Sequence, residues 1–211
     1  MREYAITEVF RSVQGEGARA GTSAVFVRFA GCNLWSGREA DRAGAPCSIC
    51  DTDFVGTDGP GGARFTDARA LAEAIATAWG DEQLWRLVVL TGGEPLLQVD
   101  AALVAELHGK GFEIAVETNG TLQPPAGIDW ICVSPKPGAP LLLTGGDELK
   151  LLFPLPGMAP DGFEHLRFDH FLLQPLDGAA LAANTAAAIA YCRAHPRWRL
   201  SLQAHKLLGI P

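Results

Sequence analysis

L-W-R-L-V-V-L-T-G-G-E-P-L-L-Q-V-D-A-A-L-V-A-E-L-H-G-K-G-F-E-I-A-V-E-T-N-G, from Leu84 to Gly120, holds a strand, a glycine turn, a helix and a second strand in one run. Leu84 to Leu90 reads as a buried strand leading into Thr91-Gly92-Gly93-Glu94-Pro95. Asp100 is a candidate N-cap for a helix whose apolar face includes Leu103, Val104 and Leu107 and which closes at Gly109. Phe112 to Val116 is the next strand, ending in Glu117-Thr118-Asn119-Gly120.

The same order extends outward in both directions. Upstream, Tyr4 to Phe10 and Ala24 to Ala30 are β-prone, with Gln14-Gly15-Glu16-Gly17 as a polar turn between them. A glycine-rich loop from Gly56 to Gly62 precedes a helix from Thr66, as N-cap, to about Trp79. Downstream, strands are expected at Trp130 to Val133, Leu149 to Phe153, Phe168 to Leu173 and Trp198 to Leu202, with an alanine-rich helix over Gly178 to His195. Strands and helices alternating with short loops specify a parallel sheet with helices outside. The units are too few for a full eight-stranded barrel. The expected fold is therefore α/β, a partial parallel β/α barrel, in a single domain over residues 1–211.

Composition narrows the function classes. A net charge of −7 and a pI near 5.2 argue against a nucleic-acid backbone as partner. The first ten residues mix acids with apolar residues and do not form a secretory signal. No apolar run reaches the ~20 residues of a membrane span. A cytoplasmic protein with reduced cysteines is the expectation.

Three of the five cysteines, Cys32, Cys47 and Cys50, form C-x14-C-x2-C in the stretch 31–53. Three thiolates fit an iron–sulfur cubane with one open iron; a zinc loop completed by a distant His or Asp, or plain free thiols, are the alternatives on spacing alone. Polar and glycine signatures recur at expected strand ends, at Cys32, Thr91, Glu117, Ser134 and Gln174. Ligands of parallel α/β folds bind at those ends, which a zinc loop does not predict. Arg28, inside an apolar strand, either faces a pocket and binds an anion or pairs with Glu8 or Glu16. Cys132 and Cys192 read as buried free thiols, and His108, His165, His170 and His195 as surface or helix-end residues.

Taken together, the three cysteines, T-G-G-E-P, E-T-N-G and Ser134-Pro135-Lys136 resemble the radical S-adenosylmethionine enzymes. Val13 to Gly17, Cys50-Asp51-Thr52 and Ser201 to Lys206 extend the likeness, more narrowly to the 7-carboxy-7-deazaguanine synthase family. The gap before Cys47 departs from the superfamily's usual C-x3-C-x2-C, so the extra residues loop outward.

The resemblance implies a [4Fe-4S] cluster on Cys32, Cys47 and Cys50, Mg²⁺ at Thr52, and S-adenosylmethionine against Ile49, Gly93, Glu94, Glu117, Ser134, Pro135, Lys136, Gln174, Pro175, Leu176 and Asp177. It implies a pterin substrate, 6-carboxy-5,6,7,8-tetrahydropterin, against Val13, Gln14, Gly15, Glu16, Arg28, Thr91, His205 and the Pro211 carboxylate. No side chain is assigned a catalytic role, since a 5′-deoxyadenosyl radical from the cofactor does the hydrogen removal. The implied product is 7-carboxy-7-deazaguanine, of queuosine or deazapurine biosynthesis. A homodimer and an electron donor such as flavodoxin or ferredoxin are implied too. The competing readings are another radical S-adenosylmethionine enzyme, such as an activase, and a zinc-stabilised binding module.

Overall fold

The structure, a computed structural model, describes residues 3–211. Tyr4–Val13 (β1) and Ser23–Phe29 (β2) pair antiparallel, and Ala63–Phe65 (β3) adds to the other side of β1. From β2 onward every pairing is parallel: Leu87–Gly92 (β4), Glu113–Thr118 (β5), Trp130–Val133 (β6), Gly145–Phe153 (β7), Arg167–Pro175 (β8) and Trp198–Leu200 (β9). The sheet order is β3-β1-β2-β4-β5-β6-β7-β8-β9, with β3 and β9 as open edges. It is an incomplete barrel.

Strand alternation sorts side chains onto two faces. Val25, Val27, Val88, Leu90, Ile114 and Leu149 face outward into the main core, against Leu71 and Ile75 of Ala68–Trp79 (α1) and Leu103 and Leu107 of Ala101–Gly109 (α2). Inside, Ala24, Leu87, Val89 and Ala115 form a smaller apolar cluster with Phe26 and Trp130. One pleat further along the same strands the inward residues turn polar, as Arg28, Thr91 and Glu117. The apolar floor thus lies under a polar rim at the carboxyl ends of the strands.

Several expected boundaries move. β4 starts at Leu87 rather than Leu84, because the chain turns at Trp85, whose φ of 58° is outside the strand region. It continues to Gly92, which pairs with Phe29 of β2. The N-cap of α1 is Asp67 rather than Thr66, its carboxylate accepting from the Ala70 N–H at 2.8 Å. Helices also occupy fewer crossovers than the repeated strand–helix order implies. The β5–β6 and β6–β7 connections are irregular, and a 3₁₀ turn at Pro160–Phe163 serves β7–β8. Prolines 124, 125, 135, 137 and 140 oppose helix in the first two. Leu181–Ala194 (α3) links β8 to β9, and an unforeseen short helix, Ala204–Leu208 (α4), follows β9. Among the described residues no helix is long and apolar enough to cross a membrane.

Candidate active site

At the carboxyl ends of the strands lies a cavity of about 450 Å³. All the residues implied for substrate line it: Val13, Gln14, Gly15, Glu16, Arg28, Thr91, His205 and Pro211. Cys47, Cys50, Ile49 and Thr52 enter from the cysteine loop, and Gly93, Glu117, Ser134, Lys136, Gln174, Leu176 and Asp177 from four strand ends. Cys32, Glu94, Pro135 and Pro175 are named from the sequence but do not line it.

The cysteine loop is tied down by its own inserted residues. A 3₁₀ turn at Glu39–Gly44 presents Arg42, whose Nη1 donates to the carbonyls of Ser48 at 3.1 Å and Cys50 at 3.0 Å. The Arg42 guanidinium lies 4.1 Å over the Trp35 ring, and Trp35 meets Phe54 edge-on. Sequence reading missed this clamp, because the arginine and the carbonyls it holds carry no joint motif. The Cys47 N–H donates to Leu34 O at 3.3 Å, and the Leu34 N–H donates to Cys32 Sγ at 3.4 Å.

These residues fit a cubane cluster. Burial pushes the Cys32 and Cys47 thiols up, but the Leu34 N–H at Cys32 and the Lys136 and Arg42 charges at Cys47 favour thiolate. Among the described residues no group of His, Cys, Asp and Glu gathers closely enough for a single ion. A cubane sets each thiolate on a different iron and asks for no such single point.

The glycine turn has a packing reason. A Cβ at Gly93 would sit 2.1 Å from Gly31 O and 3.0 Å from Cys32 Cβ, so only glycine lets the cysteine loop approach β4. Both glycines were open to positive φ; Gly92 uses it, at 127°. Glu94 points down rather than into the cavity and is fully buried. Its oxygens accept from the Leu96 N–H at 3.0 Å, Thr118 Oγ1 at 2.8 Å and the Asn119 N–H at 2.8 Å. Asn119 Nδ2 in turn donates to Asn33 Oδ1 at 3.0 Å, beside Cys32. The β4 and β5 rims and the residue after the first cysteine are therefore tied together by hydrogen bonds. Burial raises the Glu94 pKa against those three donors.

Deeper in the barrel lies a charge network that sequence reading missed. Lys150 Nζ donates to Glu16 Oε2 at 2.5 Å and Glu117 Oε2 at 3.0 Å. Gln203 donates to Glu16 Oε1 and Gln14 to Glu117 Oε1, each at 3.0 Å. Burial opposes ionisation of Glu16, but the Lys150 charge and hydrogen bond, with the Gln203 hydrogen bond and the His205 charge, bring its pKa down to about 2. Burial would also lower Lys150, yet Glu117 and Glu16 hold it well above its usual range. The available signal was Asp147-Glu148-Leu149-Lys150-Leu151, two charges at strand period on one face of an apolar strand. Glu148 accepts from Trp130 Nε1 at 2.7 Å and the Ala18 N–H at 3.1 Å.

At the mouth, α4 packs on the β1–β2 turn. The Ala204 N–H donates to Gly15 O at 2.9 Å, and a Cβ at Gly15 would strike the His205 ring at 2.4 Å. Lys206 bridges Asp51 of the cysteine loop, at 2.7 Å, and Asp177 after β8, at 2.6 Å. Arg28 takes the Glu8 pairing expected of it and also faces the cavity. Its Nε pairs with Glu8 Oε2 at 3.1 Å, while its side chain lines the cavity.

An open parallel barrel that carries a three-cysteine loop beside a glycine turn at its strand ends is the framework of a radical S-adenosylmethionine enzyme. No protein-family model matches the chain. Curated relatives match it end to end: a 7-carboxy-7-deazaguanine synthase from Bordetella pertussis is 62% identical over 208 residues, covering 99% of each chain. The enzyme of that name from Bacteroides thetaiotaomicron is 41% identical over 205 residues, 97% of each. The crystal structure of QueE from Escherichia coli superposes with a TM-score of 0.69 at 25% identity, over 96% of this chain and 95% of that one. The chain belongs to the 7-carboxy-7-deazaguanine synthase family.

Proposed function

We infer that this chain converts 6-carboxy-5,6,7,8-tetrahydropterin to 7-carboxy-7-deazaguanine with loss of ammonia, in queuosine or another deazapurine biosynthesis. The observation that carries the reading is one cavity bringing the C-x2-C cysteines together with Arg28, Glu16 and Gln14. Cys32, Cys47 and Cys50 would hold a [4Fe-4S] cluster. S-adenosylmethionine would lie against Ile49, Gly93, Glu117, Ser134, Lys136, Gln174, Leu176 and Asp177, with Glu94, Pro135 and Pro175 shaping that wall from behind. Thr52 would hold Mg²⁺. When bound, the reduced cluster and S-adenosylmethionine supply the radical chemistry that activates the substrate C–H bond.

The protein's own residues orient and shield. Arg28 spends only Nε on Glu8, so its Nη donors remain for the pterin carboxylate. Glu16 and Gln14 line the cavity and bring a carboxylate and an amide oxygen to the ring N–H groups. Lys136 Nζ, held by Ser134 O at 2.9 Å and Oγ at 2.7 Å, brings a cation to the cysteine side. Helix α4 and the Lys206 bridge stand at the mouth, where they would limit the access of water to the bound substrate. The chain works as one domain, with 31–53 as cluster loop. It works in the cytoplasm as a homodimer, reduced by a flavodoxin or ferredoxin.

The test is an anaerobic reaction of iron–sulfur-reconstituted protein with dithionite, S-adenosylmethionine, Mg²⁺ and 6-carboxytetrahydropterin, read by mass spectrometry. The 7-carboxy-7-deazaguanine mass is expected. 5′-Deoxyadenosine release without that product would overturn the substrate.

A further inference from the structure

Lys150 stands in the middle of β7, where Leu149 and Leu151 face the core and Glu148 and Lys150 face the barrel interior. Its side chain is only 5% exposed, and its ammonium sits between two carboxylates that both line the cavity, Glu16 and Glu117. Those carboxylates come from different parts of the fold, the β1–β2 turn and the end of β5. Their remaining oxygens are engaged by Gln203 and Gln14, which also reach the cavity. The lysine thus joins the turn, the β5 rim and the strand floor beneath the ligand space.

We propose that Lys150 is a positioning residue of the pterin pocket: it keeps Glu16 charged and aimed beside Glu117, so that the ring N–H groups of the substrate meet an ionised acceptor. This rests on the pterin reading above. A pterin ring presents several N–H donors, and a hydrogen bond to an ionised carboxylate is about twice as strong as one between neutral groups. Lys150 is the cation in contact with Glu16. Other charges that face the pair are Glu148 on the same strand, Lys136 after β6, and His205 on α4; Arg19 borders the small void below, and Cys132 faces in from β6. Without Lys150, Glu16 keeps its burial, and only the Gln203 hydrogen bond and the His205 charge remain on the side of ionisation. Burial favours the protonated acid. The Glu16 pKa would then rise from its depressed value.

The experiment measures equilibrium binding of 6-carboxypterin, an unreactive oxidised analogue, to the reconstituted enzyme with S-adenosylmethionine, from about pH 8 to about pH 5. In the wild type the protein's contribution to affinity should be flat across that range. In Lys150→Met, affinity should fall as pH drops, by about tenfold for each unit that the assay pH lies below the new Glu16 pKa. Lys150→Arg, which retains the charge, should restore the flat profile. Glu16→Gln, which leaves the Lys150–Glu117 pair in place, should bind more weakly by the same factor at every pH; unchanged affinity in it would overturn the inference even where Lys150→Met does not fold. A uniform loss in Lys150→Met with no acid limb, or an acid limb that persists in the double variant Lys150→Met/Glu16→Gln, would overturn the inference while leaving the pterin reading intact. A wild-type enzyme that does not bind the pterin would overturn that reading, and the inference with it.

Discussion

Five free cysteines divide by environment. Cys132 is buried in β6 and its thiol is pushed well up by desolvation, while Cys47 and Cys50 open on the cavity and Cys32 stands one residue beyond the Gly31 contact. Cys32→Ala, Cys47→Ala and Cys50→Ala should each abolish cluster assembly, as read by iron content and visible absorbance. Cys132→Ala and Cys192→Ala should keep it, and full iron in any of the first three would remove that residue from the ligand set. The acid response of the metal-free protein follows from Glu16. Its pKa is depressed from 4.5 to about 2 in the fold, so its stabilising contribution is whole above 4.5 and is lost as pH falls toward 2. Glu94 and Glu148, both raised by burial, act on the other side of 4.5. Urea unfolding should show stability dropping in that acid window, and Glu16→Gln should flatten the drop. Residues that belong to short contiguous signatures, such as the cysteines and T-G-G-E-P, were legible in the sequence. Lys150 and Arg42 were not, since what they do is set by partners brought near only by folding.

At the scale of elements, Glu94 carries more than its place in T-G-G-E-P suggests. One buried carboxylate caps the 3₁₀ turn Pro95–Leu97 and holds the β5 rim through Thr118 and Asn119. Glu94→Gln puts an amide donor against groups that are themselves donors. It should cost about 1–3 kcal/mol in chemical denaturation and loosen the Asn119–Asn33 link; an unchanged midpoint would mean that the carboxylate is not needed there. The parallel strands were legible because each is a compact β-prone run, and α2 because Asp100 caps it as its position implies. β3, three residues long with no buried member, carries no periodic pattern, and its pairing is supplied by β1. The α4 segment offers five residues and buries none of them, so no apolar stripe announces it.

Over the whole molecule, the site is closed by segments from opposite ends of the sequence. Gln203 reaches Glu16 across 187 positions, and Ser12 Oγ donates to Pro211 O across 199. Removing residues 204–211 takes away no buried side chain, and the Lys206 bridges are surface pairs of small individual weight. The truncated chain should therefore keep its far-ultraviolet dichroism and its cluster content while losing pterin affinity. Loss of the sheet signal instead would make α4 part of the folding unit. The general outline, an open barrel with ligands at its strand ends, was legible because the same polar signature recurs after strand upon strand. The closure across the mouth was not, because long-range contacts of this kind leave no local trace.

That closure also sets an order of events during synthesis. The cysteine loop and the strands around it are made well before α4, so a growing chain offers its thiols at an uncovered rim for a time. A cluster built in that interval would meet the more open rim, before the last helix docks on Gly15.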